Sequence, residues 1–316
     1  MKNYAPPLLG LHSLSDDEKV AYARLRRQLR DVQKVNMERI QLFEGSNKVR
    51  HLDIAIPPGP LQDLQTVTGW AGTGIEVLAE RLSWDNWTSS GDLMDLDVAY
   101  RENYLDDESD KTIIDALICG TSFITTGKGD SANGEPEILV TGESPLDCTM
   151  LWDSRARRGT AALSRTLDAL GRVTMETFYL LKETITLERT DDGRMVIRDR
   201  DHHGFNRLPV ARLVNRGRTS RGWGRSELTP AVRYFNDAAA RTLLGKEANR
   251  EFYTTPQRWI MGADMEMFTD ENGDLVSAWQ TIAGHMLAAP NPVYEDEETN
   301  ERTVGDAPTV GQFSPA

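Results

Sequence analysis

Residues 109–126 read SDKTIIDALICGTSFITT. From Ser109 to Ile118 the apolar residues recur at helical spacing, and Gly120 follows as the residue best able to close a helix in the left-handed region. Ser122 to Thr126 then strings β-branched and aromatic residues together, which predicts a strand. The chain changes here from helices to strands, and the rest of the fold class follows from which side of Gly120 a segment lies on.

On the N-terminal side, Ser15-Asp16-Asp17-Glu18 forms a capping box, in which the serine oxygen and the glutamate each satisfy a free amide at a helix start. Tyr22, Leu25, Leu29, Val32, Val35, Ile40 and Phe43 continue at helical spacing until Gly45, predicting one amphipathic helix with these residues on its buried face. After the rigid Pro57-Pro58-Gly59-Pro60 break, Leu61 to Leu82 reads as a second helix weakened by Gly69, Gly72 and Gly74, and Asp92 to Leu105 as a third.

On the C-terminal side, strands are predicted at Glu137–Val140, Ala161–Leu167, Val173–Leu181, Thr184–Arg189 and Met195–Asp199, separated by turn signals such as Asp191-Asp192-Gly193. Links of hairpin length leave no room for crossover helices, so the sheet is antiparallel and the class α+β. A helix returns at Thr229-Pro230, cap and first-turn proline, and Ala231 to Phe252 carries the low-bulk run Ala238-Ala239-Ala240. Beyond Thr254 the chain is turn-rich, with a hairpin tip expected at Asp270–Asp274 and an exposed acidic run at Glu295, Asp296, Glu297 and Glu298.

With 316 residues, 39% of them hydrophobic, a sizeable core is available. No run of about 18 apolar residues occurs and the start has no signal-peptide pattern, so a soluble, unexported chain is expected, with no membrane partner. The net charge of −13 argues against a protein that wraps nucleic acid by neutralising phosphates. Charge is also segregated: ten acids face two bases between Asp85 and Asp115, and eleven face two from Phe252 onward. Between Arg207 and Arg225 there are six arginines and no acid, with Arg212, Arg216, Arg218, Arg221 and Arg225 forming a candidate basic strip between subunits. Such polarity suits neighbours in an assembly.

Catalytic and cofactor signatures fail on spacing. Gly72-Thr73-Gly74 lacks the third glycine of a dinucleotide loop, and Gly127-Lys128 lacks both the upstream glycine and the Ser/Thr of a phosphate loop. Cys119 and Cys148 have no metal-ligand spacing and read as reduced core residues. Asp199, Asp201, His202 and His203 are dense in ligand types, but adjacent residues of a strand face opposite ways, and the segment reads as a loop or turn. Asp270, Asn272 and Asp274 alternate like a calcium loop whose closing glutamate is missing. No metal, no cofactor and no enzymatic activity are expected.

Four stretches, in order, resemble the portal proteins of long-tailed phages, particularly those of actinobacteria. They are Asn103-Tyr104-Leu105-Asp106-Asp107-Glu108-Ser109 with Ala116-Leu117 and Gly120-Thr121-Ser122-Phe123; Glu143-Ser144-Pro145-Leu146-Asp147; Leu208-Pro209-Val210 with Leu213-Val214-Asn215-Arg216; and Gly224-Arg225-Ser226-Glu227-Leu228 leading to Thr255-Pro256-Gln257-Arg258-Trp259. The resemblance implies a ring, usually of twelve subunits, at the unique vertex of the capsid, through which double-stranded DNA passes without sequence preference. It implies a wing over 1–225 (helical 1–120, strand-rich 121–225), a stem helix over 226–251 and a small mixed clip over 252–316. Arg241, Lys246 and Arg250 become candidates for the stem face that meets the channel or a neighbour, and Glu295 to Glu298 for the clip surface that meets partners. Those partners would be the terminase large subunit and then a head-tail adaptor, with major capsid protein or scaffold at the wing. The implied location is the virion portal vertex, after assembly in the host cytoplasm. A second stem helix, a tunnel loop and a crown are absent from the chain, so an incomplete subunit is expected. A monomeric adaptor or other head protein, and more remotely a hydrolase using His202 and His203, are the competing readings.

Overall fold

In the computed structural model, Ser15 opens the first helix as its capping box requires. Glu18 N donates to Ser15 Oγ at 3.3 Å, and Ser15 N donates to Glu18 Oε2 at 2.7 Å. The structure describes residues 13–46, 68–88, 90–92 and 94–254, and the strand backbones 257–261, 293–295, 302–304 and 309–313. The chain divides into two compact units, Met1–Lys48 with Val67–Asp237, and Val49–Thr66 with Ala238–Ala316.

In the first unit, α1 (Asp16–Phe43), α2 (Trp70–Ala79), α3 (Leu96–Glu102) and α4 (Leu105–Cys119) precede eight strands. These are β1 (Thr121–Lys128), β2 (Ile138–Glu143), β3 (Cys148–Asp153), β4 (Arg158–Leu167), β5 (Val173–Tyr179), β6 (Glu183–Arg189), β7 (Met195–His202) and β8 (Val210–Val214). They form not one antiparallel sheet but two, a five-stranded meander β3-β4-β5-β6-β7 and a three-stranded sheet β2-β1-β8. The α+β class holds.

Apolar burial places the helices. Leu14, Tyr22 and Leu25 pack on Leu163, Phe178, Ile185, Leu187 and Met195, so α1 covers one face of the meander. Its far end, Leu42, joins Ala71 and Ile75 of α2 and Leu117 and Ile118 of α4 in a second core. Phe123, Cys148, Met150, Ala162 and Val210 fill the junction of the two sheets. A fully buried aliphatic or aromatic side chain contributes about 1.5–3 kcal/mol, which is why these clusters decide where α1 lies.

Several boundaries differ from expectation. Val32 and Val35 are 39% and 46% exposed, so the buried stripe of α1 is interrupted at its middle. Residues 61–67 lie outside the described residues, and the second helix is confined to Trp70–Ala79. The third helix stops at Glu102, and α4 begins four residues before Ser109, because Tyr104 takes a left-handed conformation (φ 50°, ψ 43°) that interrupts any continuous helix. β3 and β8 were not expected, and the segment holding Asp199, Asp201 and His202 is strand rather than loop. Among the described residues, no helix is long and apolar enough to cross a membrane.

Helix α5 (Pro230–Thr254) begins at Pro230, four residues after Ser226, and its 25 residues span about 37 Å. Val232 N donates to Thr229 Oγ1 at 3.4 Å, the expected cap. In the second unit, β9 (Gln257–Met261) pairs antiparallel with β12 (Thr309–Phe313), and β10 (Val293–Glu295) with β11 (Arg302–Val304). The Asp270–Asp274 segment lies outside the described residues.

Candidate assembly interface

The basic strip does not stay together. Arg212, on β8, lies with its guanidinium 3.4 Å from the Trp152 ring centroid and 5.2 Å from that of Trp223. Burial lowers its pKa from the usual arginine range, yet the two ring faces offset part of that cost. Arg212 therefore belongs to the packing of the sheet junction. Arg216 pairs with Glu227 at 2.6 Å. Arg218 and Arg221 exchange backbone hydrogen bonds of 3.2 and 2.8 Å across Thr219-Ser220, which puts their side chains on an exposed turn beside Arg225.

The loop carrying that turn, 215–226, is tied to the end of α4. Asn215 N donates to Gly120 O at 3.0 Å, Glu227 N to Leu117 O at 2.9 Å, and Ser226 Oγ to Ile118 O at 2.5 Å. Asn215 Nδ2 spans the loop to Arg225 O (2.8 Å) and Glu227 Oε1 (2.9 Å), and Thr121 Oγ1 donates to Trp223 O. Two glycines make this approach possible, Gly120 at φ 92° and Gly224 at φ 75°.

Between this loop and α1 runs a groove of about 690 Å³. One face of α1 forms its wall, with Arg24, Arg27, Val32, Val35 and Arg39 at helical spacing, and Phe123, Cys148 and Trp223 lie opposite. This is where the two unburied valines of α1 point. The wall is held by Gln28 Nε2, which donates to Thr149 Oγ1 (2.9 Å) and Met150 O (3.0 Å), and by Arg39 Nη1, which donates to Cys119 O (2.7 Å). Burial and the nearby charge of Arg221 both push the Arg39 pKa down. Arg27 sits 3.9 Å from Asp31, whereas Arg24, Arg39, Arg218, Arg221 and Arg225 have no carboxylate within ion-pair distance among the described residues.

The two cysteines beside the groove are not nucleophiles. Burial pushes the Cys119 thiol up to about 12, and Cys148, fully enclosed, well above its ordinary value. Neither thiol should react with an aromatic disulfide reagent at about pH 8 in the native protein, while both react at once in denaturant. Rapid native labelling of either would contradict the packing.

The histidines diverge as strand geometry requires. His202 Nδ1 lies 3.5 Å from Glu183, and the His203 ring stacks on Phe205 with centroids 5.0 Å apart. Among the described residues, no three His, Cys, Asp or Glu side chains gather to hold a metal ion.

On α5, Lys246 and Arg250 are one turn apart and share a side of the helix, while Arg241 falls about 140° from Lys246 at 100° per residue. Arg250 also pairs with Glu247 at 2.9 Å. The three candidate stem residues therefore do not form one stripe. Glu295 ends β10 directly opposite Arg302, and 296–298 lie outside the described residues.

These features are a groove walled by α1 and an exposed arginine turn beside it. Residues 61–301 match the family model described as "Phage portal protein, SPP1 Gp6-like". The chain is 30% identical over 233 residues to the portal protein of Mycobacterium phage D29, covering 71% of this chain and 47% of that protein. It is 29% identical over 271 residues to the portal protein of Mycobacterium phage L5, covering 82% and 54%. The chain belongs to the phage portal protein family, a structural family and not an enzyme family. It spans about half the length of these two curated relatives.

Proposed function

We propose that this chain forms the wing, first stem helix and clip of a portal subunit, assembled as a ring of twelve at one vertex of the capsid. Double-stranded DNA enters and leaves the head through the ring, and terminase and then a head-tail adaptor dock on the clip. The reading rests on the portal-family match over 61–301, which includes the arginine loop and all of α5. The long helix, with small residues in its middle and Lys246 and Arg250 along one side, suits close packing with its copies around a channel. The acid excess from Phe252 onward suits a passage that DNA traverses without tight phosphate binding. Glu295 to Glu298 are the proposed docking surface of the clip, and major capsid protein or scaffold the proposed neighbour of the wing.

Negative-stain images of the purified full-length protein should show rings with a central hole and twelve-fold averages. Uniform small globules would overturn the reading.

A further inference from the structure

A ring closed by head-to-tail contacts needs two different, mutually complementary patches on each subunit. The arginine-rimmed groove is one. The turn between α3 and α4 has the features of the other. Asn103 is buried there, its Nδ2 donating to Ala99 O and Ile138 O (both 2.8 Å), and its Oδ1 accepting from Val140 N at 2.7 Å. This clamp to strand β2 leaves the next residue, Tyr104, in the left-handed conformation with 69% of its surface exposed. Around it, Glu102, Asp106, Asp107 and Asp110 are exposed and have no cation within ion-pair distance among the described residues.

Local stability accounts for only part of this arrangement. Asp106 and Asp107 favour the first turn of α4, but Glu102 ends α3, where a negative charge opposes the helix dipole. A tyrosine in the left-handed region costs about 1–2 kcal/mol that glycine would avoid. A projecting ring with an acidic collar is the chemical complement of a groove with Val32, Val35 and Trp223 inside, Arg24 and Arg39 in its wall, and Arg221 on the adjoining loop.

Placement matches as well. The tyrosine turn stands at the N-terminal end of α4, and Cys119, at the other end of the same helix, lines the groove, about 21 Å away along the axis. The turn is clamped to β2, and the arginine loop leaves β8, so the two patches depart from opposite edges of the sheet β2-β1-β8. A subunit cannot fill its own groove with its own turn across a rigid helix, but a second copy can.

We propose that the groove beside α1 receives the Tyr104 turn of a second copy of this chain, ring to apolar floor and carboxylates to arginine rim. The inference rests on the ring reading above and assigns it an interface. Tyr104 is then the anchoring side chain, and the charges set register and rate of association more than affinity.

The test uses the full-length protein and measures the subunit concentration at which half the material sediments as rings, together with the melting temperature. Tyr104→Gly removes the ring yet suits the backbone, so melting of the unassembled subunit should hold or rise while half-assembly moves up by about tenfold or more. The groove variant Arg24→Glu/Arg221→Glu and the turn variant Glu102→Lys/Asp106→Lys should each weaken assembly, and the four changes combined in one chain should recover it. Wild-type rings that ignore both Tyr104→Gly and the charge reversals would overturn this interface and leave the ring reading standing. Losses that the combined variant fails to recover would also overturn it, because the groove would then serve a different protein. A wild type that forms no rings would overturn the ring reading and the interface together.

Discussion

Glu176→Ala is expected to destabilise the first unit by about 3–5 kcal/mol, the cost of removing one partner from a buried ion pair. Glu176 lies on β5 with 1% of its surface exposed, accepts a hydrogen bond from the Tyr22 hydroxyl, and has Arg26 Nε at 3.5 Å. Tyr22 and Arg26 are one turn apart on α1, so a single carboxylate ties the helix to the middle of the meander. Burial and that carboxylate push the Tyr22 hydroxyl well above the usual tyrosine range, which keeps it a donor at every ordinary pH. Removing the carboxylate takes from Arg26, itself 8% exposed, the counter-charge that lies 3.5 Å from its Nε. Urea unfolding followed by tryptophan fluorescence should show the midpoint falling at unchanged slope. Tyr22→Phe deletes one hydrogen bond to a charged acceptor and should cost less, about 1.5–3 kcal/mol. The combination Tyr22→Phe/Arg26→Met/Glu176→Leu should recover most of the loss, since apolar groups of similar volume need no counter-charge. A triple variant as unstable as Glu176→Ala would show that shape, and not charge, makes this contact.

Much of this fold is local in origin and was legible for that reason. The capping box at Ser15 and the left-handed Gly45 bracket α1, and turn signals mark off β4 to β7, because hydrogen bonds between near neighbours in sequence make these elements. What escaped is tertiary. β3 has three successive buried residues, Cys148, Thr149 and Met150, because it sits where α1 and both sheets meet, a position fixed by tertiary packing. β8 is five residues long and exists through pairing with β1, about ninety residues away. The turn at Tyr104 depends on Asn103 reaching β2, which no pattern near residue 103 records.

The surface follows the same division. A run of arginines without acids was visible, but not that Arg212 would be taken out of it by two tryptophans from distant segments, nor that Arg216 would be neutralised by Glu227. Helical spacing grouped Val32 and Val35 with the buried residues of α1, but they are 39% and 46% exposed and line the groove beside Arg24, Arg27 and Arg39. Which part of an apolar stripe finds a partner within its own chain depends on tertiary packing, and here β3 and the 215–226 loop leave a groove beside these valines.

Gly224→Ala is expected to loosen the arginine loop and with it any contact the groove makes. An added Cβ would lie 2.2 Å from Gly120 O and 2.5 Å from Asn215 O, both backbone atoms that cannot turn aside as a side chain would. Position 224 also sits at φ 75°, so the substitution strains the backbone by about 1–3 kcal/mol before any clash is counted. The two oxygens belong to the residues whose pairing, Asn215 N to Gly120 O, ties the loop to the end of α4. Their separation would carry Trp223 away from Phe123 and Arg212, and move Arg221 and Arg225 relative to α1. The core clusters built on α1 and the meander lie elsewhere, so the far-ultraviolet spectrum should stay near wild type while amides of residues 215–226 exchange faster by about tenfold to a hundredfold. Gly222→Ala, two residues before Gly224 and with nothing within 4 Å of its Cβ position, serves as the matched control and should leave exchange unchanged. If both alanines behaved alike, the anchoring of this loop would not depend on the close approach at Gly224.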